Sequence, residues 1–221
     1  MHNPGIVYFD IRGRVESMRL MFEELQVPYD DERIAGQDWH TLRATFPFRE
    51  LPTYREGNLV MVQSQAIIRH IARTHGLYGD MELDHANCDM SEEAIVAIRE
   101  QLWRFQWSPG YRETKTAYAE GQLLPQLHDL AAWLRTNGDV NHWVKGKSTY
   151  VDFLAFAFLD ELRAFFSETL TAVALLQRFY ERFSERPRIA AYLRSPRRPA
   201  AFGYSLQGLK FDPAVNRNPQ V

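Results

Sequence analysis

The stretch Ile6-Val7-Tyr8-Phe9-Asp10-Ile11-Arg12-Gly13-Arg14 changes its hydrophobic period halfway along. Ile6–Phe9 is a continuous apolar run bounded by Pro4-Gly5 and by the segment Asp10–Gly13, the pattern of a buried strand. From Arg14 onward, Val15, Met18, Phe22 and Leu25 recur at helical spacing until Val27-Pro28 ends the run. A second strand is predicted near Glu32–Ile34, and a polar, aromatic-dotted stretch of weak periodicity covers Gly36 to Phe48. Pro52–Arg55 and Leu59–Val62 read as the two strands of a hairpin turning at Glu56-Gly57-Asn58. Gln63 and Ser64 then open a helix that carries Ile67, Ile68 and Ile71 and stops at Gly76, with Ser64 predicted as its cap. The order is βαβ and then ββα, a small α/β domain over residues 1–79.

Downstream the pattern is helical only. Residues 80–86 read as a linker and residues 87–198 as an all-α domain. Ile95, Ile98, Leu102 and Phe105 mark one helix face, and Leu123–Leu134 supplies another helix. Thr149-Tyr150-Val151-Asp152 is a capping box with Asp at its third helical position, followed by the apolar run Phe153–Leu162. The tail, residues 199–221, carries Pro199, Gly203, Gly208 and Pro213 and is predicted to be irregular.

Composition narrows the function classes. A formal net charge of −2 gives no reason to expect nucleic acid or an acidic membrane surface as a partner. The longest apolar runs fall far short of a membrane span, and Met1–Gly5 lacks a secretory pattern. One cysteine, Cys88, excludes an internal disulfide and fits a reducing compartment, so a cytoplasmic location is expected. The seven histidines form no HExxH and no Cys/His cluster, and no metal is expected.

Three N-terminal features carry chemistry. Tyr8 stands at a strand end, before a turn and a helix start. Leu51-Pro52 stands at the head of a strand, where a cis bond would free the Leu51 backbone to pair with a peptide-like ligand as an added strand. At Gln63-Ser64, a hydroxyl and the first amides of a helix offer a carboxylate site. Taken singly, each has an ordinary structural reading: a core tyrosine, a turn proline, a capping serine.

Together, YFxxRGR, then LP, then QSxAIxRxIAR…GLYG resemble the N-terminal domain of the cytosolic glutathione transferases. The match is densest over Ile6–Gly79 and is similar above all to the tyrosine-type pi and sigma classes, which include haematopoietic prostaglandin D synthase. The resemblance implies a thioredoxin-like α/β domain followed by an all-α helical domain, and glutathione as co-substrate. It puts Tyr8 at the catalytic tyrosine, a hydroxyl donor to the thiolate rather than a base. Arg14 matches the arginine at the helix start, and Trp39 and Arg43 match contacts of the glycyl end. Leu51 and Pro52 match the cysteinyl-pairing segment, while Gln63 and Ser64 match the γ-glutamyl carboxylate site.

Two positions depart from the family pattern. Glu50 replaces the Gln or Lys that precedes Leu-Pro and would oppose the glycyl carboxylate unless Arg49 or Arg43 neutralises it. Ala97 stands where pi and sigma enzymes lend an aspartate to the partner's γ-glutamyl amine. Against these, the resemblance implies a homodimer, with Phe48 as an aromatic key and Arg69 and Arg73 paired with Asp89 and Glu93 across the two-fold. The alternative for these charges is a solvated face. A hydrophobic electrophile is expected between the domains, on Phe9 and Ile11 and on Trp103, Arg104 and Trp107. The two tryptophans read equally as core. Phe202, Tyr204, Leu206, Leu209 and Phe211 either fold over that pocket or form a disordered end. The expected activity is transfer of the glutathione sulfur to the electrophile. A glutathione-dependent isomerase and a non-catalytic ligand-binding or structural relative are the alternatives.

Overall fold

The computed structural model describes residues 3–204 and 210–211. These fall into two compact units. One comprises residues 3–75 together with the segment from Pro187 onward; the other is Gly76–Arg186.

The first unit is built on a four-stranded sheet: β1 (Gly5–Phe9), β2 (Asp30–Ile34), β3 (Thr53–Glu56) and β4 (Leu59–Val62), in the order β2-β1-β3-β4. β1 pairs parallel with β2 and antiparallel with β3, and β3 pairs antiparallel with β4. The parallel pair requires a crossover, supplied by α1 (Glu16–Leu25) after a 3₁₀ turn at Gly13–Val15. Val15, Met18 and Phe22 bury the face that their spacing predicted. α1 ends at Gln26, which adopts φ 55 in the left-handed region, one residue ahead of the predicted stop at Val27-Pro28. The aromatic-dotted stretch contains the single-turn α2 (Trp39–Leu42) and two 3₁₀ turns, Arg43–Thr45 and Pro47–Arg49. After β4 comes α3 (Ser64–Thr74), whose Ile67, Ile68 and Ile71 are buried.

The second unit is helical: α4 (Glu82–Gln106), α5 (Tyr111–Tyr118), α6 (Leu124–Asn137), α7 (Tyr150–Phe165), α8 (Ser167–Thr171) and α9 (Ala174–Ser184). α4 begins inside the predicted linker because Asp84 accepts the N–H groups of Asp80 (3.0 Å) and Met81 (3.3 Å), which hold its carboxyl below the usual range. α7 is buried almost throughout, and Phe156 stacks on Tyr180 and Phe183 at 5.0 and 4.8 Å between centroids. The box ahead of α7 forms as its sequence predicts: Asp152 accepts the N–H of Thr149 at 2.7 Å and of Trp143 at 2.5 Å. Burial pushes the Asp152 carboxyl pKa up and these two donors pull it down.

Two expectations about the C-terminal part need correction. The helical pattern extends to α10 (Pro187–Leu193), but α10 and the chain after it belong with the first unit, not with a helical domain running to 198. The reason is a buried carboxylate on α1: Glu16 accepts from Tyr192 Oη at 3.3 Å and from Arg198 Nε at 2.7 Å. The tail is also not wholly irregular, since β5 (Gly203–Tyr204) pairs antiparallel with β6 (Lys210–Phe211). Leu206 and Leu209 lie outside the described residues.

Replacing Asp152 by Ala leaves two buried N–H groups without their acceptor, at about 1–3 kcal/mol each. The expected loss is roughly 2–6 kcal/mol, read as a lower urea midpoint for the helical unit; an unchanged midpoint would remove the carboxylate from its assigned role.

Candidate active site

Strand register brings the three chemical segments together. Val7 pairs with Thr53, and Thr53 pairs with Val62, so the C-terminal end of β1, the start of β3 and the end of β4 share one edge of the sheet. One step beyond lie Tyr8, Leu51-Pro52 and Gln63-Ser64. Leu51-Pro52 is cis. Leu51 is half-buried and, with Trp39, packs against the cluster of Val7, Ile34 and Phe46.

Tyr8 is 7% exposed. Its hydroxyl lies 3.5 Å from the N–H of Arg14, at the start of the 3₁₀ turn. Gly13 is what permits this approach. It adopts φ +42, and a Cβ there would lie 2.8 Å from Tyr8 Cε1 and 2.9 Å from Tyr8 Oη. The turn is tied down from the other side by the chain after α10. Arg12 N–H donates to Ala201 O (2.8 Å), Gly13 N–H to Phe202 O (3.0 Å), and Arg12 Nε to Pro199 O (2.9 Å). The Arg12 guanidinium also lies 4.0 Å over the Phe202 ring. The spacing of the sequence gives no sign of this clamp, because its halves are almost the whole chain apart.

Ser64 is not the cap of α3. Gln63 takes that place with φ 74 and ψ 106, and Ser64 is the first helical residue, its Oγ donating to Gln65 Oε1 at 2.9 Å. The first intrahelical bond runs from Ile67 N–H to Gln63 O, so the N–H groups of Ser64, Gln65 and Ala66 precede it at the positive end of the helix dipole. Glu50 reaches this same place: its Oε2 accepts from Gln63 Nε2 at 2.5 Å. Among the described residues, neither Arg43 nor Arg49 stands in an ion pair with Glu50; both are exposed.

Of the residues expected to meet an electrophile, Phe9 and Ile11 flank the Tyr8 turn, and Phe9 packs on Trp39 at 5.7 Å, edge to face. In the helical unit, Trp107 is 45% exposed and Arg104 is exposed, while Trp103 donates its Nε1–H to the buried Glu161 at 2.6 Å. Burial pushes the Glu161 carboxyl pKa up, against the pull of Arg99 and Trp103. Cys88 is a packed thiol, pushed up to about 12 mainly by burial. Of the residues expected at a subunit interface, Phe48 is 82% exposed, Arg73 and Glu93 are exposed, and Arg69 is half-buried. Asp89 Oδ1 accepts from Tyr78 Oη (2.6 Å) and Tyr150 Oη (3.2 Å) within the chain. Ala97 is exposed. Among the described residues no group of three or more His, Cys, Asp or Glu is placed to hold a metal ion, and no helix is long and apolar enough to cross a membrane.

The family model described as Glutathione S-transferase, N-terminal domain, matches residues 4–73, and Glutathione S-transferase, C-terminal domain, matches residues 97–196. The chain is 34% identical over 189 residues to the Glutathione S-transferase P of Caenorhabditis elegans, covering 85% of this chain and 90% of that one. It is 34% identical over 200 residues to Glutathione S-transferase 2 of Gallus gallus, covering 86% and 89%. Among solved structures, the Pi-class glutathione S-transferase of Onchocerca volvulus superposes with a TM-score of 0.82 at 30% identity, over 87% of this chain and 92% of that one. The α/β unit is thus thioredoxin-like, glutathione is the co-substrate that the family uses, and the chain is an enzyme belonging to the glutathione S-transferases.

Proposed function

We propose that the protein binds glutathione along Leu51 and the start of α3, and that Tyr8 activates the thiol for attack on a hydrophobic electrophile. The observation that carries this reading is the Tyr8 hydroxyl seated against Gly13 beside the cis Leu51-Pro52 edge. A free thiol titrates near ~8.5, so little of it is thiolate at neutral pH. A fixed O–H donor to sulfur favours the anion, and the thiol proton leaves to solvent. The thiolate then forms a carbon–sulfur bond, displacing a leaving group or adding to an activated double bond. Cys88 is no rival nucleophile, since its pKa of about 12 keeps it a thiol.

The roles of the remaining residues follow the same reading. Trp39 and Arg43 are assigned to the glycyl end, Gln63 and Ser64 to the γ-glutamyl carboxylate, and Arg14 to the setting of the Tyr8 turn. Phe9 and Ile11 are assigned to the electrophile. On the helical unit, Trp107 is the exposed aromatic with the same assignment, with Trp103 and Arg104 beside it in sequence. A homodimer is proposed because Phe48 presents an aromatic ring to the outside at φ +51, a conformation and exposure that insertion into a second subunit would account for. A cytoplasmic location is part of the same proposal and rests on the resemblance and on the lone reduced cysteine.

Ultraviolet difference spectra of bound glutathione across pH test the thiol activation. The wild-type complex should show a thiolate band titrating well below ~8.5, and the Tyr8→Phe complex one returning toward that value; a saturated wild-type complex with no thiolate band at neutral pH defeats the role of Tyr8. Gly13→Ala should leave glutathione bound yet reduce turnover on the order of 100-fold, the scale of a displaced catalytic group. Unchanged turnover would show that the close approach at Gly13 does not hold Tyr8. Light scattering at micromolar concentration should give twice the 25.8 kDa chain mass, and a monomer mass refutes the dimer.

A further inference from the structure

The helical unit holds a cavity of about 410 Å³, walled by α5, by the turn that follows it and by the chain around α8. That turn, Ala119–Leu123, is a π-helix: the N–H of Leu124 bonds to the carbonyl of Ala119, five residues back. A π turn inserts an extra residue into a helix and recurs at functional sites. Leu124, Phe165, Phe166 and Ala172 supply the apolar part of the wall. The volume falls within the ~300–1,000 Å³ of small-molecule sites.

Lys115 lines this cavity without a polar partner. Among the described residues its amine makes no hydrogen bond and no ion pair, and Nζ lies 5.0 Å over the Phe166 ring. Of the chain's four lysines, Lys147 shows the ordinary arrangement, an ammonium paired with Asp80 and Asp84, which hold its pKa up. Burial instead pushes the Lys115 amine down, against the pull of Glu168. A larger share of it is then neutral and nucleophilic.

The lining decides what such an amine takes. Glu120 and Glu168 are the other charged groups on the wall, and two acids oppose an anionic ligand. Both are exposed, so they hold a cation weakly. A neutral carbonyl compound with an aliphatic tail suits both the amine and the apolar wall.

We propose that Lys115 is a covalent site for neutral aliphatic aldehydes, taken into this cavity as a reversible imine. The amine lone pair forms a C–N bond to the carbonyl carbon while the C=O π pair moves to oxygen. The nitrogen's proton passes to that oxygen, and the carbinolamine then loses water to give the imine. The hydroxyls of Thr116, Ser167 and Thr169 line the cavity and can bond the carbinolamine oxygen. No oxidant or reductant is required, and the step uses neither Tyr8 nor glutathione.

Reductive labelling of the full chain at neutral pH tests this, with acetaldehyde or hexanal as probe and cyanoborohydride to trap the imine as a secondary amine. Peptide masses read the label at Lys115 against the exposed Lys145. Hexanal should label Lys115 in preference to Lys145. The ratio of the two should rise from acetaldehyde to hexanal by up to about fourfold for each further methylene that the wall buries. Ala172→Phe fills the cavity from an exposed position and leaves Lys115 in place, and it should remove the preference for hexanal. The wild-type comparison decides the matter whether or not that variant folds. If Lys115 takes no more label than Lys145, or gains no more than Lys145 does from the longer chain, the proposal is overturned. A folded Ala172→Phe protein that keeps the preference overturns it equally.

Discussion

Arg19 is wholly buried and carries a charge that water cannot solvate, and the surrounding chain is arranged to satisfy it. Its Nη1 donates to the carbonyl of Ile11 at 2.8 Å and lies 3.5 Å from Glu16, while Nε and Nη2 reach Asp31 at 3.1 Å. One guanidinium thus joins the turn after β1, the first turn of α1 and the start of β2. Glu16, equally buried, passes the constraint on to Tyr192 and Arg198. A buried pair of this kind need not add net stability, but losing one partner strands the other at a cost of about 3–5 kcal/mol. That asymmetry makes the network a device for fixing one arrangement, and it accounts for the return of α10 to the α/β unit.

The candidate site inherits its geometry from this frame and from the sheet. Parallel pairing of β1 with β2 and antiparallel pairing with β3 leave three connections opening at one edge. Each brings a different resource: a phenol from Tyr8, a backbone edge from Leu51, helix amides from α3. None of these is exotic alone. Their value comes from convergence, which is a property of strand order and register rather than of any one residue.

Much of this was legible in the sequence where local rules decide. Leu59–Val62 was set off as a strand by the Glu56-Gly57-Asn58 turn before it, and β4 has those limits. The Thr149–Asp152 box set the start of α7. Reading failed where backbone conformation or distant partners decide. Ser64 has the composition of a cap, yet a non-glycine residue at φ 74 took the position, and no residue type announces that. The start of α4 was hidden because its N-cap is Met81, not a hydroxyl residue. The all-α reading of residues 87–198 took in α10 but not its unit, since periodicity shows which face is apolar and not what covers it. The Glu50–Gln63 and Arg12–Phe202 contacts are set by folding, and only their residue types were visible beforehand.

The clamps on the Tyr8 turn bear on the role proposed for its hydroxyl. A hydroxyl donor favouring a thiolate contributes on the scale of one hydrogen bond to a charged group, about 1.5–3 kcal/mol. That gain survives only if the donor is already in place, because ordering it at the moment of binding would cost rotamer and backbone entropy of similar size. The turn is held accordingly: Ile11 by Arg19, the N–H groups of Arg12 and Gly13 by the carbonyls of Ala201 and Phe202, and the Tyr8 ring by the absence of a Cβ at Gly13. Two of these holds come from the C-terminal end of the described chain. The segment after α10 is therefore part of the scaffold of the candidate site, and the docking of α10 through Glu16 is what delivers it there.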